Sequence, residues 1–219
     1  MNGVRLNRDW MTLKALLSNF TVATLLCDDQ ESKMRFISRM LMSEQRRDRV
    51  IVYIDMDTAF TVFLEDHDFL PYAKALRLFR PEVEELGEVI SNVCSLNPPR
   101  IDTIIFDSVT SFYNFQGGGG ANSSMLNRRL GLYLALLNMA VSTSEGRVLF
   151  TSMMRARKRK GEESWYLSYA GGRLLRRRSD LILELKKNKA AAGHLEVLIL
   201  KCSDSSLNGV SLNLDGEDV

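Results

Sequence analysis

Four strand-like runs contain almost no polar interruption. They are FTVATLL (20–26), RVIVYIDM (49–56), IDTIIFD (101–107) and RVLFTSM (147–153). A strand that is apolar at consecutive positions, rather than at alternate ones, is typical of a sheet covered on both faces. Because helix-like stretches separate these runs, the pattern predicts parallel strands joined by helices.

The remaining segments continue the alternation of strands and helices until the C-terminal part of the chain, where it stops. Helices are predicted over residues 9–19, 30–45, 61–66, 81–93 and 123–143, and a short strand over 75–80. The end of the chain instead reads as consecutive strands without helices: DLILELKK, HLEVLILKC and GVSLNLDG. The sequence therefore predicts an α/β fold, a mostly parallel twisted sheet with helices on both faces and antiparallel C-terminal strands.

Length and composition suit a single domain over residues 1–219, with 45% hydrophobic content to form its core. No apolar run approaches the roughly 18 residues of a membrane span, so no membrane association is predicted. The N-terminal segment contains Asp9 and Lys14 and does not resemble a signal peptide. The three cysteines are far apart and the two histidines have no partner at ligand spacing. These features predict a cytoplasmic protein with free thiols and no metal site.

The net charge of +2 hides an uneven distribution along the chain. Residues 147–189 hold 13 Lys/Arg against 4 Asp/Glu, a net of +9, and the rest of the chain therefore carries −7. A cationic segment on an acidic body suits a polyanion or an acidic partner.

The residues of chemical interest follow the predicted strands. Ligands of open α/β sheets bind at the carboxyl ends of the strands. Residues 27–34, 55–57, 107–108 and 152–160 all fall at such ends. The sequence therefore predicts that these segments meet at one edge of the sheet.

An ordered set of segments resembles a known family. IIFDSVTSFY (104–113), a long helix with LNRRLGLYLALLNMA, VLFTSMM, a basic loop, AGGRLL and LILELKK are similar to the second half of a RecA/RadA-type recombinase core. YIDMDTAF (53–60) resembles the segment that carries the catalytic glutamate there. The likeness is to small archaeal paralogues of the RadB kind, and it covers roughly residues 8 to 218. It implies a RecA-like core without the N-terminal helix-hairpin DNA-binding domain.

The resemblance aligns residues 27–34, C-D-D-Q-E-S-K-M, with the phosphate loop G-x-x-x-x-G-K-[ST]. Lys33 matches the phosphate lysine, but Cys27 and Ser32 replace the glycines that let backbone N–H groups face a phosphate. Met34 replaces the magnesium-binding hydroxyl. The loop also gains three carboxylates, each of which would cost on the order of 4 kcal/mol beside a phosphate at about 4 Å. We therefore interpret it as a degenerate Walker A loop and Lys33 as a solvated lysine at a helix start.

Three further positions belong to the remnant nucleotide site that the resemblance implies. Asp57 matches the catalytic glutamate, Asp107 the magnesium-associated aspartate, and Met153 a glutamine that senses the γ-phosphate. Asp107 has a second interpretation, as a strand-terminal carboxylate that caps a neighbouring turn. The sequence predicts no ATPase activity, no ATP or magnesium cofactor and no catalytic residue.

Residues 154–178 are rich in basic and aromatic side chains, and the part between the 147–153 strand and the Gly-Gly matches the family's second DNA-binding loop. Lys and Arg neutralise phosphates and release counterions, while aromatic rings stack on bases without regard to sequence. The candidate DNA-binding residues are Arg155, Arg157, Lys158, Arg159, Lys160, Trp165, Tyr166, Arg176, Arg177 and Arg178. The alternative is a solvated charge run whose aromatic residues belong to the core or to a protein interface. GGGGANSS (117–124) matches the first DNA-binding loop but lacks arginine, so we expect a flexible connector there.

Taken with the resemblance, these features predict a non-catalytic recombinase paralogue. Such a pseudo-ATPase would be an accessory factor in homologous recombination and DNA repair, with single-stranded DNA, a RadA-type recombinase or another paralogue as partners. One alternative is an ATP-binding or weakly active RecA-like ATPase. Another is a KaiC-like scaffold or signalling protein without a DNA role.

Overall fold

A computed structural model describes residues 8–43, 49–66, 75–82, 84–95, 101–117, 123–158, 165–187 and 194–214. Within these ranges, nine strands belong to one sheet. They are β1 (Val22–Cys27), β2 (Val50–Asp55), β3 (Leu76–Phe79), β4 (Ile101–Asp107), β5 (Arg147–Lys158), β6 (Trp165–Tyr169), β7 (Leu181–Lys187), β8 (Leu195–Lys201) and β9 (Ser211–Leu214).

The sheet is mostly parallel, with strand order β3-β2-β4-β5-β1-β7-β8-β9. The six strands from β3 to β7 in that order run parallel, whereas β8 and β9 are antiparallel to their neighbours. The second half of β5 leaves the parallel region and pairs with β6 as an antiparallel hairpin. The predicted fold class and its antiparallel C-terminal strands are thus confirmed.

Helices cover both faces of the sheet. They are α1 (Arg8–Ser18), α2 (Gln30–Ser43), α3 (Ala59–Asp66), α4 (Leu86–Ser95), α5 (Val109–Gly117), α6 (Ser123–Ser142) and α7 (Gly172–Arg178). Successive strand residues point to opposite faces, so Tyr53 and Leu149 join one core while Val52 and Phe150 join the other. The first core includes α1, α2 and α3, and the second includes α4 to α7. No helix in the described ranges is both long and apolar enough to cross a membrane.

Three local features differ from the sequence-based expectation. Helix α4 begins at Leu86 rather than Pro81, because a turn precedes it in which the Glu82 N–H donates to the Glu85 carboxylate (3.0 Å). Helix α5 was not predicted as a separate element. The basic loop expected after residue 153 forms paired strand backbone at Met154–Lys158 and Trp165–Tyr169, on both sides of residues 159–164, which lie outside the described ranges.

Two connections between elements require glycine. A Cβ on Gly146 would lie 2.3 Å from the carbonyl oxygen of Ile101, so only glycine fits this entry into β5. Gly171 has φ 71° at the N-cap of α7, a conformation that glycine adopts without strain. The AGGRLL segment therefore turns the chain sharply from the hairpin into α7.

Candidate functional site

The carboxyl ends of four parallel strands meet at one edge of the sheet, as predicted. Asp55 and Asp107 are register partners at the ends of β2 and β4, and Cys27 and Met153 are register partners on β1 and β5. This is the edge at which open α/β sheets bind ligands.

Asp107 is the centre of a buried polar network. Its carboxylate accepts hydrogen bonds from the Lys33 ammonium (Nζ–Oδ1 2.6 Å), from the Tyr53 hydroxyl (Oη–Oδ2 2.6 Å) and from the Thr151 hydroxyl. Lys33, Tyr53, Asp107 and Thr151 are all fully buried. Burial, together with the nearby Asp107 charge, raises the pKa of Tyr53 well above its ordinary value, so its hydroxyl remains a donor. Asp107 therefore has three donors from within the protein.

The interpretation of Lys33 as a solvated lysine is wrong, because its side chain has no exposed surface. The aligned phosphate lysine instead forms a buried ion pair with Asp107, 74 positions away along the chain. The alternative interpretation of Asp107 as a turn-capping carboxylate also misses its main contacts, which are all side-chain donors. Neither partner could be recognised from local sequence, because the pair depends on how α2 packs over the sheet.

The segment aligned with a phosphate loop is mostly helix. Only Asp28 and Asp29 separate the end of β1 from the start of α2 at Gln30. The Asp29 carboxylate accepts a hydrogen bond from the backbone N–H of Ser32 (2.8 Å), and the N–H of Lys33 donates to the Asp29 carbonyl (3.3 Å). Backbone donors that could face a phosphate are thus used by the chain itself.

The pKa shifts of the residues between β1 and α2 agree with these hydrogen bonds. Burial opposes the charge on Asp29, but hydrogen bonds from Ser32 outweigh it and hold the pKa of Asp29 below its ordinary value. Burial and the neighbouring Asp29 raise the pKa of Asp28. Burial likewise raises the pKa of Cys27, which excludes a thiolate nucleophile at neutral pH. An anionic cap at the start of α2 disfavours a second anion there.

Three carboxylates form an acidic cluster at the same edge. Asp55, Asp57 and Asp107 each offer an oxygen within 4.8 Å of the others. Asp55 accepts from the backbone and side chain of Thr61 through Oδ2 (2.8 and 2.7 Å), while its buried Oδ1 has no donor within the described residues. These oxygens are the kind that hold Mg²⁺ or Ca²⁺. The sequence predicts that residues 55–57 and 107–108 meet at this edge, but it does not predict Asp55 as part of a cation-binding group.

Asp57, aligned with a catalytic glutamate, has structural contacts in this chain. Its Oδ2 accepts from the Ser111 hydroxyl (2.9 Å) and its Oδ1 faces the N–H of Ala59 at the start of α3 (3.3 Å). The Ser111 hydroxyl also lies 2.8 Å from that of Ser108. Asp57 therefore connects the start of α3 with the first turn of α5.

Met153, at the γ-phosphate-sensing position, is held through its backbone. Its N–H donates to the Thr110 hydroxyl (2.8 Å), and its carbonyl lies 3.2 Å from the same oxygen. The Met153 side chain packs against the core that contains α2. A thioether in this position offers neither an amide donor nor a charge to a phosphate.

The predicted DNA-binding residues divide between the hairpin and α7. Arg157 and Lys158 are register partners of Tyr166 and Trp165, but the side chains of Arg157, Lys158 and Trp165 lie outside the described part of the structure. Arg159 and Lys160 lie wholly outside it, as does the predicted connector at Gly118–Asn122.

Three of the predicted DNA-binding residues line one groove of about 830 Å³: Arg155 and Tyr166 from the hairpin, and Arg177 from α7. Arg176 and Arg178 are exposed on α7 but do not line this groove. Sequence reasoning missed Arg173, which also lines it. The signal was available, because Arg173 lies four positions before Arg177, which is one helical turn.

Comparisons with known proteins identify the fold. No protein-family model and no curated protein matches the chain. The chain is similar to the crystal structure of the RadB recombinase, with a TM-score of 0.68, 18% sequence identity, and coverage of 92% of this chain and 91% of that one. At this level of identity the likeness shows the fold, and the chain has a RecA-like α/β fold.

Proposed function

We propose that this chain is a RecA-like protein that neither hydrolyses nor requires ATP and that binds single-stranded DNA as an accessory factor in recombination and repair. The observation that carries the proposal is the fully buried Lys33–Asp107 ion pair. The residues aligned with the phosphate lysine and the magnesium-associated aspartate are each other's partners in the fold.

Binding a nucleotide here would first require this pair to separate. Separation would leave Asp107 charged in a fully buried position, and removal of one partner of a buried pair typically costs about 3–5 kcal/mol. The phosphate would also meet the Asp29 carboxylate at the start of α2. Both costs oppose nucleotide binding and support a protein that works without it.

The cationic segment supports a nucleic-acid partner. Residues 147–189 carry a net charge of +9, and the structure gives their hairpin a groove lined by arginine and tyrosine side chains. Arginine attracts the phosphate backbone and tyrosine accepts stacked bases, so this combination suits a single strand better than a protein or a small acidic metabolite. A RadA-type recombinase or another paralogue is the protein partner that we propose, by analogy with the RecA-like fold.

A second candidate function is an ATP-binding or weakly active RecA-like ATPase. One observation favours it: the cluster of Asp55, Asp57 and Asp107 could hold a divalent cation through the buried, unpartnered Oδ1 of Asp55. The residues fit a cation, but the fit is imperfect because the ammonium of Lys33 already lies 2.6 Å from Asp107.

Strand binding tests the proposed function directly. Fluorescence anisotropy with a labelled 30-nucleotide single strand and the matching duplex, at low and at physiological salt, should show salt-sensitive binding that prefers the single strand. Adding ATP and magnesium should change the affinity no more than an equal ionic strength of sodium chloride. Absence of binding at low salt, or binding only with ATP, would reject the proposal.

A further inference from the structure

Helix α6 has an apolar face that points away from the rest of the protein. Its buried residues, which run from Leu126 to Val141, pack into the second core. On the opposite side of the helix, Met125, Leu132 and Met139 are 59%, 56% and 68% exposed. Large apolar residues that are exposed singly are common on proteins, whereas a row of them on one helix marks an interaction surface.

The spacing of these three residues is that of a helix that pairs with another helix. They are seven positions apart, and the exposed residues Arg128 and Ala135 lie between them at the intervening heptad positions. We call these five residues the α6 stripe, which spans about 20 Å of the helix axis. No charged residue occurs between Arg129 and Glu145, although the outer face of a surface helix is normally charged.

The α6 stripe is separate from the groove beside the hairpin. Helix α6 contributes Ser123 and Asn127 to that groove, and no residue of the stripe lines it. Half-buried Leu136 flanks the stripe and packs against the second core, so it widens the apolar surface on one side. The stripe is therefore a second surface with a different chemistry.

The charges near the stripe indicate which partner fits it. Arg128 is exposed and has no ion-pair partner among the described residues, whereas Arg129 donates to Gln116. Glu145 is exposed just beyond the C-terminal end of α6. One end of the stripe is therefore cationic, and the other combines a carboxylate with the negative end of the helix dipole. A second copy of the chain, turned end for end, presents the complementary charge at both ends.

An antiparallel pair of α6 helices brings these groups together. With Leu132 of each copy against Ala135 of the other, Arg128 lies level with Met139 of the other copy. Helical side chains tilt towards the N-terminus of their own helix, so Arg128 extends towards the C-terminal end of the other α6. Glu145 of that copy lies about 9 Å beyond Met139 along the axis, a gap that the two side chains can close. A parallel pair would instead place Arg128 beside Arg128.

We propose that two copies of this chain associate through their α6 stripes as an antiparallel helix pair, with Arg128 of each copy beside Glu145 of the other. The pair is two-fold symmetric and closed, so it forms a dimer rather than a chain of copies. A contact made mainly by one helix from each copy is at the small end of specific interfaces, so the dimer is weak and depends on protein concentration. This inference goes beyond the proposed function and does not depend on it.

Sedimentation velocity of the full chain, from about 2 to about 200 µM, should show monomer converting to dimer without larger species. Leu132→Glu places two carboxylates at the centre of the pair and should raise the dissociation constant roughly tenfold or more. Met11→Glu on α1, where the methionine is 59% exposed, is the matched control and should leave self-association unchanged. Because both positions are exposed, both variants should keep the wild-type melting temperature.

A charge exchange tests the orientation of the pair. Arg128→Glu and Glu145→Arg should each weaken self-association, because like charges then face each other in both contacts. Mixed in equal amounts, the two variants should form a heterodimer about as tight as the wild-type dimer, since each contact then joins opposite charges. Native mass spectrometry identifies the heterodimer by a mass between those of the two homodimers. In a parallel pair, neither variant alone would be weaker than wild type, because each change would exchange one like-charge contact for another.

Net charge alone is controlled by the same exchange outside α6. Arg77→Glu on β3 and Glu65→Arg on α3 change exposed residues and alter the net charge of each variant by the same amount. Each should self-associate as wild type does, and their mixture should show no preference for the heterodimer. A preference as strong as that of the α6 variants would indicate general charge attraction and overturn the proposed pairing.

The remaining outcomes also decide the proposal. A wild-type chain that stays monomeric at all these concentrations overturns it and leaves the stripe to a different protein. Species that grow beyond a dimer would show an open assembly and overturn the closed pair. Equal effects of Leu132→Glu and Met11→Glu, or no effect of Leu132→Glu, would place self-association outside α6. None of these measurements includes DNA, so failure of this proposal and failure of strand binding are distinguishable.

Discussion

Lys33 and Asp107 have opposite charges in the fully buried interior, and each is stable there because of the other. The pair also has neutral donors, since Tyr53 and Thr151 both donate to Asp107. Buried ion pairs add little net stability over an apolar replacement, but removal of one partner leaves an uncompensated charge. This asymmetry makes the pair testable.

Replacement of Lys33 by methionine should lower the free energy of unfolding by about 3–5 kcal/mol, because Asp107 then remains charged without its cation. The double variant Lys33→Met, Asp107→Asn should recover most of that loss. Urea denaturation of the variants measures both effects. Arg35→Gln on the same helix removes a largely exposed pair with Glu31 and should cost under about 1 kcal/mol. A Lys33 variant as stable as the Arg35 variant would contradict the buried pair.

Asp55 predicts a dependence of stability on pH. Burial raises the pKa of Asp55 above its ordinary value of 3.8, and the charges of Asp107 and Asp57 act in the same direction against the hydrogen bonds from Thr61. The folded protein therefore holds a proton that the unfolded chain releases at lower pH. This contribution to stability is complete below 3.8 and is lost as pH rises through the higher folded-state pKa.

Asp55→Asn cannot titrate, so its free energy of unfolding relative to wild type should increase as pH rises through that window and then level off. The amide oxygen can still accept from Thr61. Urea unfolding of both proteins between about pH 4 and pH 8 gives the difference, in which the other titrating groups cancel. A difference that stays constant with pH would show that Asp55 is not perturbed.

At the scale of secondary structure, we propose that the hairpin of β5 and β6 is the element through which the cationic segment binds a strand. Backbone register pairs Arg155 with Ser168 and Arg157 with Tyr166. A fixed strand pair holds these positions at regular spacing, which a disordered loop would not do.

Alanine at Arg157, Lys158 and Arg159 should reduce both the affinity for a single strand and its dependence on salt, by about 0.7 log units for each phosphate that the hairpin no longer neutralises. Anisotropy titrations over a series of sodium chloride concentrations measure the slope. Arg35 of α2, Arg77 of β3 and Arg128 of α6 provide a charge-matched control triplet outside the hairpin. Equal effects in the two sets would indicate attraction to net charge rather than binding by the hairpin.

Some helices and strands could be predicted from their own sequence, whereas others depend on contacts with distant segments. The central strands were predictable because Val52, Ile104 and Phe150 sit in unbroken apolar runs. Strand β6 was not predicted, because WYLSY contains no pattern that distinguishes a strand from an aromatic loop, and its pairing with β5 decides its conformation. Helix α5 was missed although Val109 and Phe112 are buried at helical spacing, because the segment is short and begins directly after a strand.

The sequence predicted where the candidate site lies in the fold. It did not predict which hydrogen bonds and ion pairs the site residues form. Cys27, Asp55, Asp107 and Met153 meet at one sheet edge because parallel strands bring their ends together. Which of them bind each other depends on side-chain packing across the sheet, and sequence distance contains no information on that. Lys33 is an example: it lies at the start of α2 as expected, but its side chain is fully buried rather than solvated.

The whole molecule combines a RecA-like sheet with two separate surfaces. One is the strand-end edge, where the Lys33 ammonium donates to Asp107 and the backbone N–H of Ser32 donates to Asp29. The other is the arginine- and tyrosine-lined groove beside the hairpin. In our proposal, the chain binds a single strand at the second of these places and no nucleotide at the first.

Thermal unfolding with and without ATP and magnesium tests this central claim most directly. A ligand at 100 times its dissociation constant adds about 2.7 kcal/mol of stability, which for a domain of this size raises the melting temperature by about 5–10 °C. We predict no change with millimolar ATP and magnesium beyond that of sodium sulfate at equal ionic strength. A saturable rise of several degrees that requires both ATP and magnesium would contradict the account and favour the ATP-binding alternative.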